Sequence, residues 1–275
     1  MSEPKITFIG GGNMARAIYK GLLESGFPAE NIGVVDPSEI AQSAARASGL
    51  IRIAEAATDA DLSADLIVLA VKPQITRIAL SPLAQRVSST TTVLSIIAGI
   101  NSASLANLLG LPNDDAVVRS MPNTPALVGE GMTGLFSNSD QRAHGRILAE
   151  RVMSAVGQCV WVNNESDLDL VTAISGSGPA YFFLFMESLA DAAVELGLSP
   201  QTAHQLAVQT ALGAAKLAQT SDDGLVKLRE NVTSPGGTTE QAIKSFEASE
   251  LRTIVMSATR AAKKRSIELS EEFGL

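Results

Sequence analysis

Residues 6–15 read Ile-Thr-Phe-Ile-Gly-Gly-Gly-Asn-Met-Ala, an apolar strand pattern that runs straight into closely spaced glycines and then into a helix. Gly10, Gly12 and Ala15 hold the G-x-G-x-x-G/A spacing. In that pattern the first position makes the tight turn, the second lets backbone approach a pyrophosphate, and the third lets helix pack on strand. Backbone N–H groups at the start of the helix would then meet phosphate charge. A glycine turn in an unrelated α/β protein uses the same residues, so the context decides. Met14, Ala17, Ile18, Gly21 and Leu22 make one helical face, and a second strand, Ile32–Val35, ends at Asp36. Asp36 stands where such folds place the acid that binds a ribose 2′-hydroxyl.

Strand patterns recur near 5–9, 31–35, 65–71, 91–97, 116–120 and 157–162, with helical patterns between most of them. The runs Asp65–Val71 and Thr92–Ile97 are almost continuously apolar, as parallel strands covered on both faces require. Strand signals stop near Glu165, and helices follow at 165–174, 178–197, 200–219 and 240–270, the last broken near Ala248-Ser249. The expected fold is therefore an α/β, doubly wound Rossmann-like dinucleotide-binding domain over 1–162 and an all-α domain over 163–275. The stretch Ala180–Met186 is apolar all round, so its helix needs cover on every side, either as a central core helix or in an intertwined dimer.

With 275 residues and a net charge of −8, the chain is long enough for two modest domains and lacks the clustered cations of a nucleic-acid partner. One cysteine, Cys159, allows no intrachain disulfide, and the start Met-Ser-Glu-Pro-Lys has no apolar secretory core. A cytoplasmic protein is expected. The densest apolar runs are short, so no membrane span is expected.

Ligands of open α/β sheets bind beyond the carboxyl ends of the strands. Ala70-Val71-Lys72-Pro73 follows one strand, with Pro73 suited to opening a helix and Lys72 either facing the crevice or an ordinary surface lysine. Ile97-Ala98-Gly99 follows the next, where small residues let a nicotinamide ribose approach backbone. Arg119–Pro125 follows a third, its two prolines fixing a rigid loop that either shapes the cleft or is purely structural. In the helical half, Gly236 and Gly237 of the loop Asn231–Thr239 offer backbone donors at a helix N-terminus, suited to a carboxylate. Ser234, Thr238 and Thr239 add hydroxyls there, and capping by Thr238 or Thr239 would use the same residue types.

His144 and His204 lie in polar helical contexts with no partner at metal-ligand spacing, so no metal is expected. There is no Tyr-x-x-x-Lys: Tyr19 is followed four on by Leu23, and Tyr181 by Phe185. The hydride acceptor therefore needs little proton machinery, as holds for an imine already protonated at neutral pH.

The motifs Ile9–Met14, Ala70–Pro73, Met121–Pro125, Ser175–Tyr181 and Val232–Thr239 resemble those of the pyrroline-5-carboxylate reductases, over nearly the full length. The resemblance implies reduction of 1-pyrroline-5-carboxylate to L-proline, the final step of proline biosynthesis, by an NADPH- or NADH-dependent oxidoreductase. It implies a homodimer built by the helical domain, often assembled into a decamer. The implied cofactor contacts are Gly10, Gly11, Gly12, Asn13, Met14, Ala15, Asp36, Ala70, Val71, Lys72, Pro73, Ala98 and Asn231. The implied substrate contacts are Glu165, Asn231, Ser234, Gly236, Gly237, Thr238 and Thr239, with Thr239 as the catalytic residue beside the ring nitrogen.

NADPH-preferring members usually carry a small hydroxyl residue where this chain has Asp36, which repels a 2′-phosphate and leans the reading toward NADH. Ser38 and Arg46 stand near enough in sequence to offset that repulsion. A β-hydroxyacid dehydrogenase shares the fold order but needs a lysine on the helix after its glycine loop, and Pro179–Leu196 contains none. A non-catalytic cofactor sensor has no need of an organised anion loop at 234–239.

Overall fold

Successive side chains of the apolar runs enter opposite layers, which is why the runs show little alternation. In the computed structural model, which describes residues 3–58, 60, 62–138 and 143–273, Ile6 and Phe8 of β1 (Ile6–Ile9) enter one core and Ile9 the other. The same division holds in β4 (Leu66–Leu69), β5 (Thr92–Ser95) and β6 (Val117–Met121): Leu66, Val68, Leu94 and Val118 face one way, Ile67, Leu69, Val93 and Val117 the other. α1 (Asn13–Glu24) and α5 (Ala143–Ser154) cover the first face; α3 (Thr76–Leu80) and α4 (Ser102–Leu109) cover the second.

Among the described residues the strands form one eight-stranded sheet of order β3-β2-β1-β4-β5-β6-β7-β8, with β2 at Ile32–Val35, β3 at Arg52–Ala54, β7 at Gly131–Ser137 and β8 at Gly157–Trp161. The β3-to-β6 set is parallel, β7 runs antiparallel to β6, and β8 is parallel to β7. β3 and β7 are additions to the six strands expected from sequence. β3 is three half-buried residues with no apolar run. β7 carries two glycines because other chain segments press on it: a β-carbon at Gly131 would lie 2.8 Å from Val156 O, and one at Gly134 would lie 2.7 Å from Val171 Cγ2.

The chain separates into two compact units, Met1–Ser177 with Ala262–Leu275, and Gly178–Ala261. The division differs from the expected one at 162/163 because α6 (Asp167–Val171) packs on β7 through Val171, and because Ser266 donates to Asp169 Oδ1 at 2.7 Å. A π-helical turn, Thr172–Gly176, follows α6.

The second unit holds α7 (Gly178–Glu195), α8 (Pro200–Thr220), α9 (Leu225–Asn231), α10 (Thr238–Ala248) and the first part of α11 (Leu251–Phe273). Ser199 caps α8 by accepting from Thr202 N at 3.2 Å, ahead of Pro200 in its first turn. α9 is an addition to the helices expected from sequence. The break between α10 and α11 falls where Glu250 takes φ +56. In the single chain α7 is not a central core helix: Phe182 and Phe183 are 68% and 62% exposed. By length and composition the helical stretch Asp167–Glu195, which holds an 18-residue window of mean hydropathy 1.3, is also long enough to cross a membrane, although it contains no single unbroken apolar run of that length.

Gly21, inside α1, sets two effects against each other. Alanine at an exposed helix interior would gain about 1 kcal/mol. Here its β-carbon would fall 2.3 Å from Ala155 O, a backbone atom. Overpacking against backbone outweighs propensity, so Gly21→Ala should lower stability by about 2 kcal/mol and the melting temperature by about 4–8 °C. Thermal unfolding with an unchanged or raised midpoint would show that propensity wins.

Candidate active site

The strand order reverses between β1 and β4, and the crevice outside their carboxyl ends is where an open α/β sheet takes a ligand. Gly10, with φ +101, passes so close to the neighbouring strand that a β-carbon would lie 2.5 Å from Ala70 O. The ladder continues past the strands through Gly10 N to Val35 O and Ala70 N to Ile9 O, both 2.8 Å. Gly12 is the N-cap of α1 and is open, with nothing within 4 Å of where a β-carbon would stand, and no side chain caps the helix. Its first-turn donors are therefore left for an anion. Asn13 is exposed, Met14 half-buried, and Ala15 packs into the core at 1% exposure, the close helix–sheet contact that the spacing calls for.

Asp36 closes this loop from the end of β2. Its Oδ2 accepts from Gly11 N at 2.6 Å and its Oδ1 from Ser38 N at 2.8 Å, so backbone donors aim the carboxylate at the glycine turn. Each oxygen keeps a lone pair for a hydroxyl. Arg46 does not face this carboxylate. It is held along α2 (Glu39–Ala47) by Glu39 Oε1 and Gln42 Oε1, both at 2.9 Å. Ser38 contributes its backbone N–H to Asp36. Lys72 is exposed beside half-buried Ala70, Val71 and Pro73, and Pro73 opens a short 3-10 turn, Pro73–Ile75, rather than directly an α-helix.

After β5 the chain turns at Ala98 and Gly99, the latter at φ +78, before α4. Glu165 reaches this turn. Its Oε1 accepts from Ser102 N at 2.7 Å, Ser102 Oγ at 2.8 Å and Arg119 Nη1 at 3.1 Å. The Arg119 and Glu165 side chains are 13% and 27% exposed. In the 119–125 loop Asn123 is the structural residue: its Nδ2 donates to Ser175 O at 3.1 Å and its Oδ1 accepts from Met132 N at 2.9 Å.

In the second unit, the loop before α10 has Gly236 at φ +74. Gly237 is the N-cap, and no hydroxyl caps the helix, so capping by Thr238 or Thr239 is not what this loop uses. Gly236 N donates to Glu240 Oε2 at 3.0 Å and Gly237 N to Ser234 O at 3.0 Å. The first of these donors already holds a carboxylate oxygen supplied by the chain itself. Glu240 sits three residues after the N-cap, but the N-cap is Gly237 rather than Ser or Thr and the acceptor reaches Gly236 N, so no capping-box pattern in the sequence points to this contact. The Gly236 N–H, and then Lys244 at 3.1 Å, hold its carboxyl below the ordinary range. A depressed folded value means that this contact is complete above the unfolded pKa and is lost as pH falls through the folded one. Asn231 ends α9, where its Nδ2 donates to Asp223 Oδ2 at 3.1 Å; Ser234 and Thr238 are exposed and Thr239 half-buried. Among the described residues no three His, Cys, Asp or Glu side chains are grouped to hold a metal ion.

Two family models match the chain: pyrroline-5-carboxylate reductase dimerisation over residues 165–269, and NADP oxidoreductase coenzyme F420-dependent over 5–99. A pyrroline-5-carboxylate reductase of Pseudomonas aeruginosa is 46% identical, covering 100% of both chains. Among solved structures, a pyrroline-5-carboxylate reductase from Coxiella burnetii superposes with TM-score 0.90 at 40% identity, covering 98% of this chain and 99% of that one. The Plasmodium falciparum pyrroline carboxylate reductase with NADP bound gives TM-score 0.83 at 32% identity, with the same coverage of 98% and 99%. Identity of this order, sustained from end to end in bacterial and protozoan relatives alike, leaves one assignment: the chain belongs to the pyrroline-5-carboxylate reductase family.

Proposed function

We propose that this protein reduces 1-pyrroline-5-carboxylate to L-proline with a reduced nicotinamide dinucleotide. The observation that carries the reading is the pair of anion seats in a chain of this family. One is the uncapped start of α1 behind Gly10 and Gly12; the other is the 234–239 loop, whose Gly236 N–H holds a carboxylate oxygen. The residues at the first seat fit a dinucleotide. Gly10 to Ala15 would receive the pyrophosphate on backbone donors, Asp36 would accept from a ribose hydroxyl, and Ala70 to Pro73 and Ala98 would line the nicotinamide end. When bound, the nicotinamide supplies a hydride from its C4 atom.

The chain's own task is positioning, which is worth about 7 kcal/mol or more of barrier for ideal alignment. Ser234, Gly236, Gly237 and Thr238 would seat the substrate carboxylate, displacing Glu240 from Gly236 N. The Thr239 hydroxyl would hydrogen-bond the ring nitrogen and hold its proton there. Asn231 would add an amide to either ligand once released from Asp223. The acceptor is the cationic C=N carbon of the imine, whose nitrogen already carries its proton, so hydride transfer yields the amine without a general acid. The family's dimerisation model over 165–269 supports an oligomer, and the exposed aromatic face of α7 is what a second copy would cover in a homodimer, the unit of a larger decamer. The same reading makes the protein a cytoplasmic enzyme with no nucleic-acid or membrane partner. Oxidation of NADPH or NADH on addition of 1-pyrroline-5-carboxylate tests it, and no oxidation with either cofactor refutes it.

Three variants test its parts. Thr239→Ala should lower kcat/KM by about 2–4 kcal/mol, tens- to several-hundred-fold, with the melting temperature nearly unchanged because this hydroxyl is not the helix cap. Thr239→Ser should restore much of the rate; near-normal kinetics in the alanine variant would remove Thr239 from the chemistry. Asp36→Ser also loses the Gly11 and Ser38 anchors, a cost common to both cofactors, so the ratio is the readout. The kcat/KM for NADPH relative to NADH should rise about tenfold, the screened remainder of a contact repulsion of about 4 kcal/mol. An unchanged ratio would exclude Asp36 as the selector. Phe185→Glu places a charge beside Phe246, whose ring centroid is 6.1 Å away, at the surface assigned to the dimer. Sedimentation should show monomer or unfolded chain, and an intact native oligomer would refute that assignment.

A further inference from the structure

The turn between β5 and α4, where Ala98 and Gly99 lie, is held from two sides by one short segment. On one side Glu165 Oε1 accepts from Ser102 N and Oγ, at 2.7 and 2.8 Å, while Arg119 Nη1 lies 3.1 Å from the same oxygen. Ser102 N is the first orphan donor of α4, and Asn101 Oδ1 caps only Ser104 N, at 2.7 Å. Glu165 thus supplies a carboxylate to a helix N-terminus and to a nearly buried guanidinium at once. On the other side the last turns of α11 lie beside Gly99, where a β-carbon would be in van der Waals contact with Leu269 O and Ser270 Cα, both at 3.4 Å. Those turns are tied down by Ser266 Oγ donating to Asp169 Oδ1 at 2.7 Å. All of these residues belong to the first unit. Glu165 and Asp169 stand four residues apart, and together they bracket the turn.

We propose that residues 165–169 form a positioning clamp for the nicotinamide end of the cofactor, with Glu165 and Asp169 acting through the 97–101 turn rather than by touching the ligand. The proposal rests on the cofactor reading above. It reassigns Glu165, for which the resemblance implied a place by the substrate. A carboxylate whose Oε1 serves three donors is held by the turn, and its removal would leave Arg119 unpaired and Ser102 N without its acceptor beside Ala98, with only the Asn101 cap remaining on α4. The clamp acts at one end of the dinucleotide crevice only. The glycine loop, Asp36 and the start of α1 take no contact from it, so the adenosine end should not sense its loss.

The test is equilibrium binding to the full-length protein: NADPH and NADH followed by their fluorescence, and ADP by calorimetry, for the wild type, Glu165→Ala, Glu165→Gln and Asp169→Ala. Glu165→Ala should raise the Kd of the reduced cofactors about tenfold and leave that of ADP within about twofold. Glu165→Gln should recover most of the affinity, because its amide oxygen can still accept from Ser102, and Asp169→Ala should weaken the reduced cofactors by a smaller factor. If Glu165→Ala does not fold, the glutamine variant and Ser102→Ala carry the comparison. Equal weakening of ADP and the reduced cofactors would mean a merely structural role and overturn the clamp. So would unchanged cofactor binding with a raised KM for the imine, which would return Glu165 to the substrate. A wild-type protein that binds neither reduced cofactor is a separate result, recognisable before any variant is made, and it overturns the cofactor reading and the clamp together.

Discussion

The backbones of Gly10 and Ala70 approach so closely that no β-carbon can stand between them. That contact sits at the point where the strand order turns back on itself, and it fixes what surrounds it. β1 must end there, α1 must start shortly after, and Asp36 at the end of the neighbouring strand comes within 2.6 Å of Gly11 N. An anion seat results without any cationic side chain, which is how a chain of net charge −8 can hold a phosphate-bearing ligand. Local donors count there more than net charge does.

The loop before α10 has the opposite construction. It stands in a helical unit with few buried side chains, and its donors are partly occupied by the chain itself. The Gly236 N–H, one residue before the N-cap of α10, donates to a carboxylate oxygen of Glu240 in the geometry of the loop. Glu240 is held there by an exposed contact, which contributes little. The two helix starts therefore differ: the first-turn donors of α1 take no side-chain cap, and the Gly236 N–H before α10 is held by Glu240.

Between these extremes lies the network around Glu165, Asp169 and Asn123. It joins segments remote in sequence: Ser102 to Glu165, Ser266 to Asp169, Met132 and Ser175 to Asn123. None of these pairs has a periodicity or motif that points to its partner, since polar contacts between distant segments leave no local signal. The strand β7 escapes a reading of the sequence for a related cause. At Gly131 and Gly134 it gives up its side chains to let Val156 and Val171 approach, and with them it gives up the apolar pattern by which a strand is recognised.

What the sequence determined by itself was whatever depends on neighbours along the chain: the strand-glycine-helix opening, the acid after β2, the proline-led start of α8 and the break before Glu250. Each is set by local backbone geometry and burial periodicity, which a few consecutive residues specify. Only the tertiary structure decided the order of the eight strands, the extension of the first unit to Ser177 with the end of α11, and the partners of Arg46, Glu165 and Glu240. A charged side chain has several donors or acceptors within reach of its sequence position. Which one it takes depends on the segments that packing brings beside it, and its burial settles how much that choice is worth.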